Sequence, residues 1–197
     1  MASPSGMDAG TGDTRQRLIE VAVDLFTTHS FAGTSLQMIA DELGFTKAAI
    51  YHHFRTREQL LDAVVGPILE QLAIAIEAAE QLRGVHARAD YILTSYAQLA
   101  VDNRVVAVLA ADPAVAEMLR TRREWDELIE RQMALLADVE PGPAGKVKAA
   151  VVLAGIAGAS GPTFVALDRD ALREHLVDAG RHALGIRTPR RVPPKAQ

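Results

Sequence analysis

The stretch Thr34–Leu61, TSLQMIADELGFTKAAIYHHFRTREQLL, decides the reading of the whole chain. Thr34 followed by Gln37 has the spacing of a capping box, in which a hydroxyl and a carboxamide three residues on satisfy free backbone N–H groups. Ile39, Ala40 and Leu43 supply the buried face of the ensuing helix, and Gly44 ends it. Thr46 caps a second short helix, with Phe45 and Ile50 placed as a hydrophobic staple, and that helix closes near Phe54. Thr56 and Gln59 repeat the capping-box spacing and launch a third helix through Leu60, Leu61, Val64 and Val65. Two short helices joined through a glycine turn make a helix-turn-helix.

On the N-terminal side, Asp13 and Gln16 form another capping-box spacing, and Leu18, Val21, Ala22, Leu25 and Phe26 recur at helical period to about His29. Met1–Gly12 lacks the charged and apolar regions of a secretory signal and reads as a disordered tail. On the C-terminal side, Leu61, Val64, Ile68, Leu72, Ile76 and Ala79 extend the third helix into a connecting rod to about Leu82. Pro67 inside it predicts a kink, because proline removes a donor and crowds the preceding turn. His86 to about Asn103 and Val105–Ala110 are further helices. Asp112-Pro113 opens a long one, carrying Val115, Met118, Leu119, Trp125, Ile129, Met133 and Leu136 on one face. After Pro141-Gly142-Pro143 comes a helix of small residues, Val147–Ala159, and the last helix runs from near Asp168 to Gly185. No stretch alternates with period two. The fold class is all-α, with about nine helices.

Zero cysteines exclude disulfides and thiolate metal sites, and the apolar run Ala149–Ala159 is far shorter than the roughly 20 residues of a membrane helix. The net charge of −4 argues against a protein that coats nucleic acid through bulk charge. Arg15, Arg17, Lys47, Arg55 and Arg57 nevertheless gather near helix starts of the helix-turn-helix, which suits a narrow contact strip. Thr46 and Lys47 stand where free N–H groups and the helix dipole favour a phosphate. Ala48 allows the backbone to approach a thymine methyl closely, whereas Ile50 and Phe54 share the apolar face of Phe45 and belong to the core. His52 and His53 are adjacent and cannot both face a groove; His52 is the candidate. No glycine-rich phosphate loop, nucleophile elbow or zinc-binding helix motif occurs. The pairs His86/Asp90 and Asp178/His182 lie one helical turn apart and read as surface pairs, so no catalytic residue, metal site or cofactor is expected.

The residues Phe31-x-Gly33-Thr34-Ser35, Ile39-Ala40, Leu43-Gly44-Phe45-Thr46-Lys47, Ile50-Tyr51-His52-His53-Phe54 and Arg57-Glu58-x-Leu60-Leu61 together resemble the N-terminal domain of TetR-type transcriptional repressors. The resemblance spans roughly residues 13 to 61. It implies a homodimeric repressor of a double-stranded DNA operator, with Tyr51 and His52 meeting phosphate or a base edge, and the lack of cysteines fits a cytoplasmic location. It also implies Arg57 as a phosphate clamp in place of the family's frequent lysine, alongside Thr34 and Ser35. A dimer would read a palindrome with half-sites about 34–36 Å apart. The domains expected are a tail (1–12), the DNA-binding domain (13–56), a helical ligand-binding and dimerisation domain (57–186) and a Pro-rich basic tail (187–197).

Tyr91, Ser95, Tyr96, Met118, Trp125, Ile129 and Phe164 are candidates to line a pocket for a small, mostly apolar effector of unknown identity, although helical spacing alone gives the same residues for a plain core. Val151, Gly155, Gly158, Leu172, Leu176, Ala179 and Ala183 are candidates for a dimer interface built as an intermolecular four-helix bundle. The alternative function is a helical small-molecule carrier or sensor without sequence-specific DNA binding.

Overall fold

A computed structural model describes residues 8–161, 164 and 166–186, with side chains from Asp13 onward. The expected tails lie outside these residues, apart from Asp8–Gly12 at the end of the first. Ten helices occur among the described residues: α1 (Asp8–Gly33), α2 (Leu36–Glu42), α3 (Lys47–His53), α4 (Arg57–Glu80), α5 (Val85–Asp102), α6 (Val105–Ala111), α7 (Pro113–Arg120), α8 (Arg123–Ala137), α9 (Pro143–Ala159) and α10 (Arg169–Leu184).

α1 begins five residues before the expected cap, so Asp13 lies within it. Its regular dihedrals break at Ser30 (φ 65°, ψ 167°), close to the predicted end at His29. α4 is one helix of 24 residues that passes through Pro67. It is also the one described helix long and apolar enough to cross a membrane. Eight of its residues, Leu60 to Ala79, are buried against the rest of the chain, as expected of a core helix. The long helix predicted from Pro113 is two, α7 and α8. Thr121 donates its hydroxyl to Met118 O, and Arg122 adopts extended dihedrals while its guanidinium bonds Asp62 on α4 at 2.7 Å and lies 4.7 Å from the Trp125 ring. A long-range ion pair and a stacking contact end that helix, and neither leaves a sequence punctuation mark.

α2 packs on α1 and α3, and α1 packs on α4, around Leu18, Phe26, Ile39, Ile50, Phe54 and Leu61. α4, α5 and α8 pack together, α9 joins α8, and α10 closes on α5 and α9. Gly180 lets α10 lie close to α5: a Cβ there would stand 2.6 Å from Leu93 Cδ1, so the Leu93 side chain would have to shift. α6 lies against both α1 and α9, so the small N-terminal unit rests on the larger one through α6 as well as through α4.

Candidate nucleic-acid interface

α3 is short because both of its ends are fixed. The Thr46 hydroxyl oxygen accepts the Ala49 N–H at 3.3 Å, and the Phe54 N–H returns to Ile50 O at 2.9 Å. The turn leading into it needs Gly44, at φ +67°: Gly44 N–H bonds Asp41 O and Phe45 N–H bonds Ala40 O, the paired bonds of a Schellman motif. Ile50 is fully buried, which anchors α3 from behind.

The opposite side is open. Thr46, Lys47, Ala48, Tyr51 and His52 are exposed, and Lys47 Nζ sits 5.7 Å from the Tyr51 ring centroid. His53 is half-buried; burial, then the neighbouring His52 and Arg15, hold its pKa below the ordinary 6.5 and favour the neutral ring. Two arginines of α1 flank this surface, Arg15 over the Phe54 ring at 5.1 Å and Arg17 over the Phe45 ring at 5.7 Å. Cation–π contact with rings at either end of α3 restrains two exposed cations beside the helix that would enter a groove. Their sequence spacing gives only their charge, and the aromatic partners are 39 and 28 positions away.

Two expected phosphate contacts are corrected. Thr34 is 1% exposed and donates its hydroxyl to Ser30 O at 2.8 Å and Leu25 O at 3.2 Å, so it ties down the end of α1. The cap of α2 is Ser35, whose hydroxyl oxygen accepts the Met38 N–H at 3.1 Å, while Gln37 bonds Asp41. The capping register is one residue later than the sequence spacing suggested. Arg57 turns inward: its Nη1 lies 3.2, 3.3 and 3.0 Å from the carbonyl oxygens of Phe31, Ala32 and Thr34, and its guanidinium stacks 5.0 Å from the Phe31 ring. Adjacent carbonyls at the end of a helix are a strong acceptor cluster, and they take the cation.

Among the described residues, Ser95 and Tyr91 are the predicted pocket residues that border a cleft, and they border different ones. Trp125 is buried beneath Arg122, Tyr96 is half-buried with its hydroxyl pKa raised by burial, and Met118 packs against the core. Tyr91, Ile129 and Phe164 are 42%, 39% and 43% exposed. Ser95 lines a cleft of about 220 Å³ between α4 and α5, with Gln71, Leu72, Gln98 and Asp102. Tyr91 borders a separate groove beside His86 and Asp90. Amphipathic period gave these residues a common helix face, but α5 rotates its faces toward different neighbours. Asp90 is held by Arg181 through two bonds of 2.6 and 3.0 Å, and His182 Nδ1 lies against the Asp178 backbone carbonyl. A polar residue that sequence reasoning missed is Gln132, 3% exposed on α8, whose Nε2 has no hydrogen-bond partner among the described residues.

Val147, Ala150, Val151, Ala154, Gly155 and Gly158 form an exposed strip of small apolar residues along α9, with Ala179 and Ala183 exposed on α10. Val147 and Val151 are more than 60% exposed. Leu172 does not join them: it is 4% exposed and packs inside the chain, because α10 turns Leu172, Val177, Gly180 and Leu184 toward its own neighbours. Leu176 is half-buried.

A capped two-turn helix with an open polar face, braced by two partner helices and carried on a long rod, defines a helix-turn-helix protein. The comparisons place that unit more narrowly. The family model "Bacterial regulatory proteins, tetR family" matches residues 18–64. The HTH-type transcriptional regulator UidR of Escherichia coli K12 is 26% identical over 117 residues, 55% of this chain and 58% of that one. The HTH-type transcriptional repressor KstR2 of Rhodococcus jostii is 29% identical over 69 residues, 35% of this chain and 34% of that one. The alignment thus spans 58% of the length of the curated UidR relatives. Among solved structures, the ketosteroid transcriptional regulator KstR2 of Mycobacterium tuberculosis superposes with a TM-score of 0.70 at 16% identity, covering 87% of this chain and 93% of that one. A TetR/AcrR family regulator from Thermobifida fusca does so with a TM-score of 0.53 at 27% identity, covering 89% and 100%. The N-terminal helices are a TetR-family helix-turn-helix domain, and the whole chain has the fold of these regulators.

Proposed function

We propose that the chain is a homodimeric cytoplasmic transcriptional repressor that reads a palindromic operator through α3 and is released by a small, mostly apolar effector. The observation that carries this reading is the face of α3: Thr46, Lys47, Ala48, Tyr51 and His52 exposed together on a helix fixed by its caps and by buried Ile50. Lys47 and the first-turn N–H groups suit a phosphate, the Ala48 methyl suits a thymine methyl, and Tyr51 and His52 offer hydrogen bonds to base edges or backbone. Arg15 and Arg17 add phosphate contacts on the flanks. Ser35, half-buried and spent as a cap, remains a candidate contact at the start of α2.

Two features support the rest. The small-residue strip of α9 suits close packing against a second copy, with Ala179 and Ala183 of α10 at its side. The buried Gln132 Nε2, without a hydrogen-bond partner among the described residues, and the Tyr96 hydroxyl lie on α8 and α5, which pack on α4, and suit a mainly apolar effector with one or two acceptors. An effector that favours a tilted α4 changes the separation of the recognition helices and lowers operator affinity. The test is a binding assay at controlled salt on the DNA upstream of the gene. Wild type forms a palindrome-dependent complex, and Lys47→Ala and Tyr51→Phe each weaken it. Absence of that complex, or indifference to both substitutions, removes the proposal.

A further inference from the structure

We infer that Asp112 is a positioning residue that fixes the helix-turn-helix on the effector half through one peptide group, that of Ala32. The inference rests on the DNA-reading function proposed above. Asp112 sits at the corner between α6 and α7 and is 5% exposed. Its two carboxylate oxygens do different things. Oδ1 accepts the Ala114 N–H at 2.9 Å and caps α7. Oδ2 accepts the Ala32 N–H at 3.2 Å, across 80 residues of sequence, at the junction between α1 and α2.

The same Ala32 is held from its other side, since its carbonyl oxygen lies 3.3 Å from Arg57 Nη1 at the start of the rod. One residue is therefore gripped by an anion of the effector half through its N–H and by a cation of α4 through its C=O. Charge-assisted bonds are short-ranged and directional, so the pair sets a position where apolar contact would allow sliding. α6 and α7 pack on α1, but not without a gap at this edge. A cleft of about 480 Å³ lies there, bordered by Ser30, Ala32, Ala107, Val108, Ala111 and Asp112, so neighbouring side chains leave the bond standing beside open space.

The residues just beyond Ala32 give the bond its reach. Two positions on, Thr34 is locked to Leu25 and Ser30 by its hydroxyl, and Ser35 caps α2. A shift of the α6–α7 corner is thus passed to α2 and α3 through three residues with little slack. Ser30 stands at the pivot with φ +65°, a backbone region that a non-glycine side chain occupies at a cost, so its geometry is imposed by these bonds.

The decisive variant is Asp112→Ser, whose hydroxyl still caps α7 but is too short to reach Ala32; Asp112→Ala removes both bonds. Hydrogen exchange on the full chain without DNA should show the Ala32 amide exchanging at least about tenfold faster in Asp112→Ser, with α7 protected as in wild type. Selection from random palindromes with spacers of variable length reads the consequence. Wild type should lose about tenfold or more in affinity when the preferred spacing changes by one base pair, and Asp112→Ser less than about threefold. Unchanged exchange at Ala32 overturns the bridge. Wild-type spacing preference in Asp112→Ser, or a loss in Asp112→Ala that is uniform across spacings, leaves Asp112 as a cap alone and overturns the positioning role. If wild type selects no DNA, the proposed function falls, and Ala32 exchange alone then decides the bridge.

Discussion

Arg57 separates two physical roles for one cation, and a pair of substitutions tells them apart. In Arg57→Ala the carbonyls of Phe31, Ala32 and Thr34 lose a shared charged donor, and the Phe31 ring loses its stacked guanidinium. A hydrogen bond to a charged group contributes about 1.5–3 kcal/mol, and an accessible cation–π contact about 0.5–1 kcal/mol. Arg57 is partly exposed and water replaces some of these bonds, so the loss should be about 2 kcal/mol. For a chain of this size that lowers Tm by roughly 4–8 °C. Arg57→Lys keeps the charge but not the planar fork, so it should recover less than half of the loss. Calorimetry of the three proteins, with operator binding measured across salt concentrations, is the assay. A phosphate clamp predicts the reverse: unchanged Tm in Arg57→Ala, a salt slope reduced by about 0.9, and full rescue by lysine. That pattern would refute the inward role.

Three further outcomes are expected. Gly180→Ala should press a methyl against the buried Leu93 side chain, which must shift, lowering the stability measured by urea unfolding by about 1 kcal/mol once the better helix propensity of alanine is counted. Val151→Glu, placed on the exposed strip of α9, should convert a dimer to monomer in sedimentation experiments with the helical circular dichroism retained; a dimer of undiminished strength would exclude that strip as the interface. The His53 ring should titrate below 6.5 by NMR and move upward in His52→Gln; because the folded state favours its neutral form, the stability it contributes is present above about pH 6.5 and is lost as pH falls toward the lowered value.

Local signals were legible wherever the cause was local. Thr46, Gly44 and Ile50 gave α3 its start, its preceding turn and its anchored face, because caps, turns and staples act within five residues. Reading failed where a distant partner decided. Thr34 and Ser35 both carry capping hydroxyls, and the choice of Ser35 depends on carbonyls of α1 that already claim Thr34. Arg57 had the sequence of a phosphate clamp, and only the arrival of Phe31, Ala32 and Thr34 beside it turns it inward. The break at Thr121–Arg122 depends on Asp62, sixty residues earlier. The pocket residues failed for a related reason: helical period names a buried face but not the helix that covers it.

The brevity of α3 limits how many sequences it can tell apart. On a helix of seven residues, about three or four side chains reach base edges, which specifies about four base pairs in each half-site. In the proposed dimer two copies would distinguish about 4⁸, or roughly 65,000, sequences, fewer than the ~10⁶ competing sites of even a small genome. The missing factor of about fifteen must be read without naming bases, from groove width and the ease of bending. Arg15 and Arg17, held against Phe54 and Phe45, are the residues we propose as readers of that shape, beside a recognition helix too short to spell the whole address.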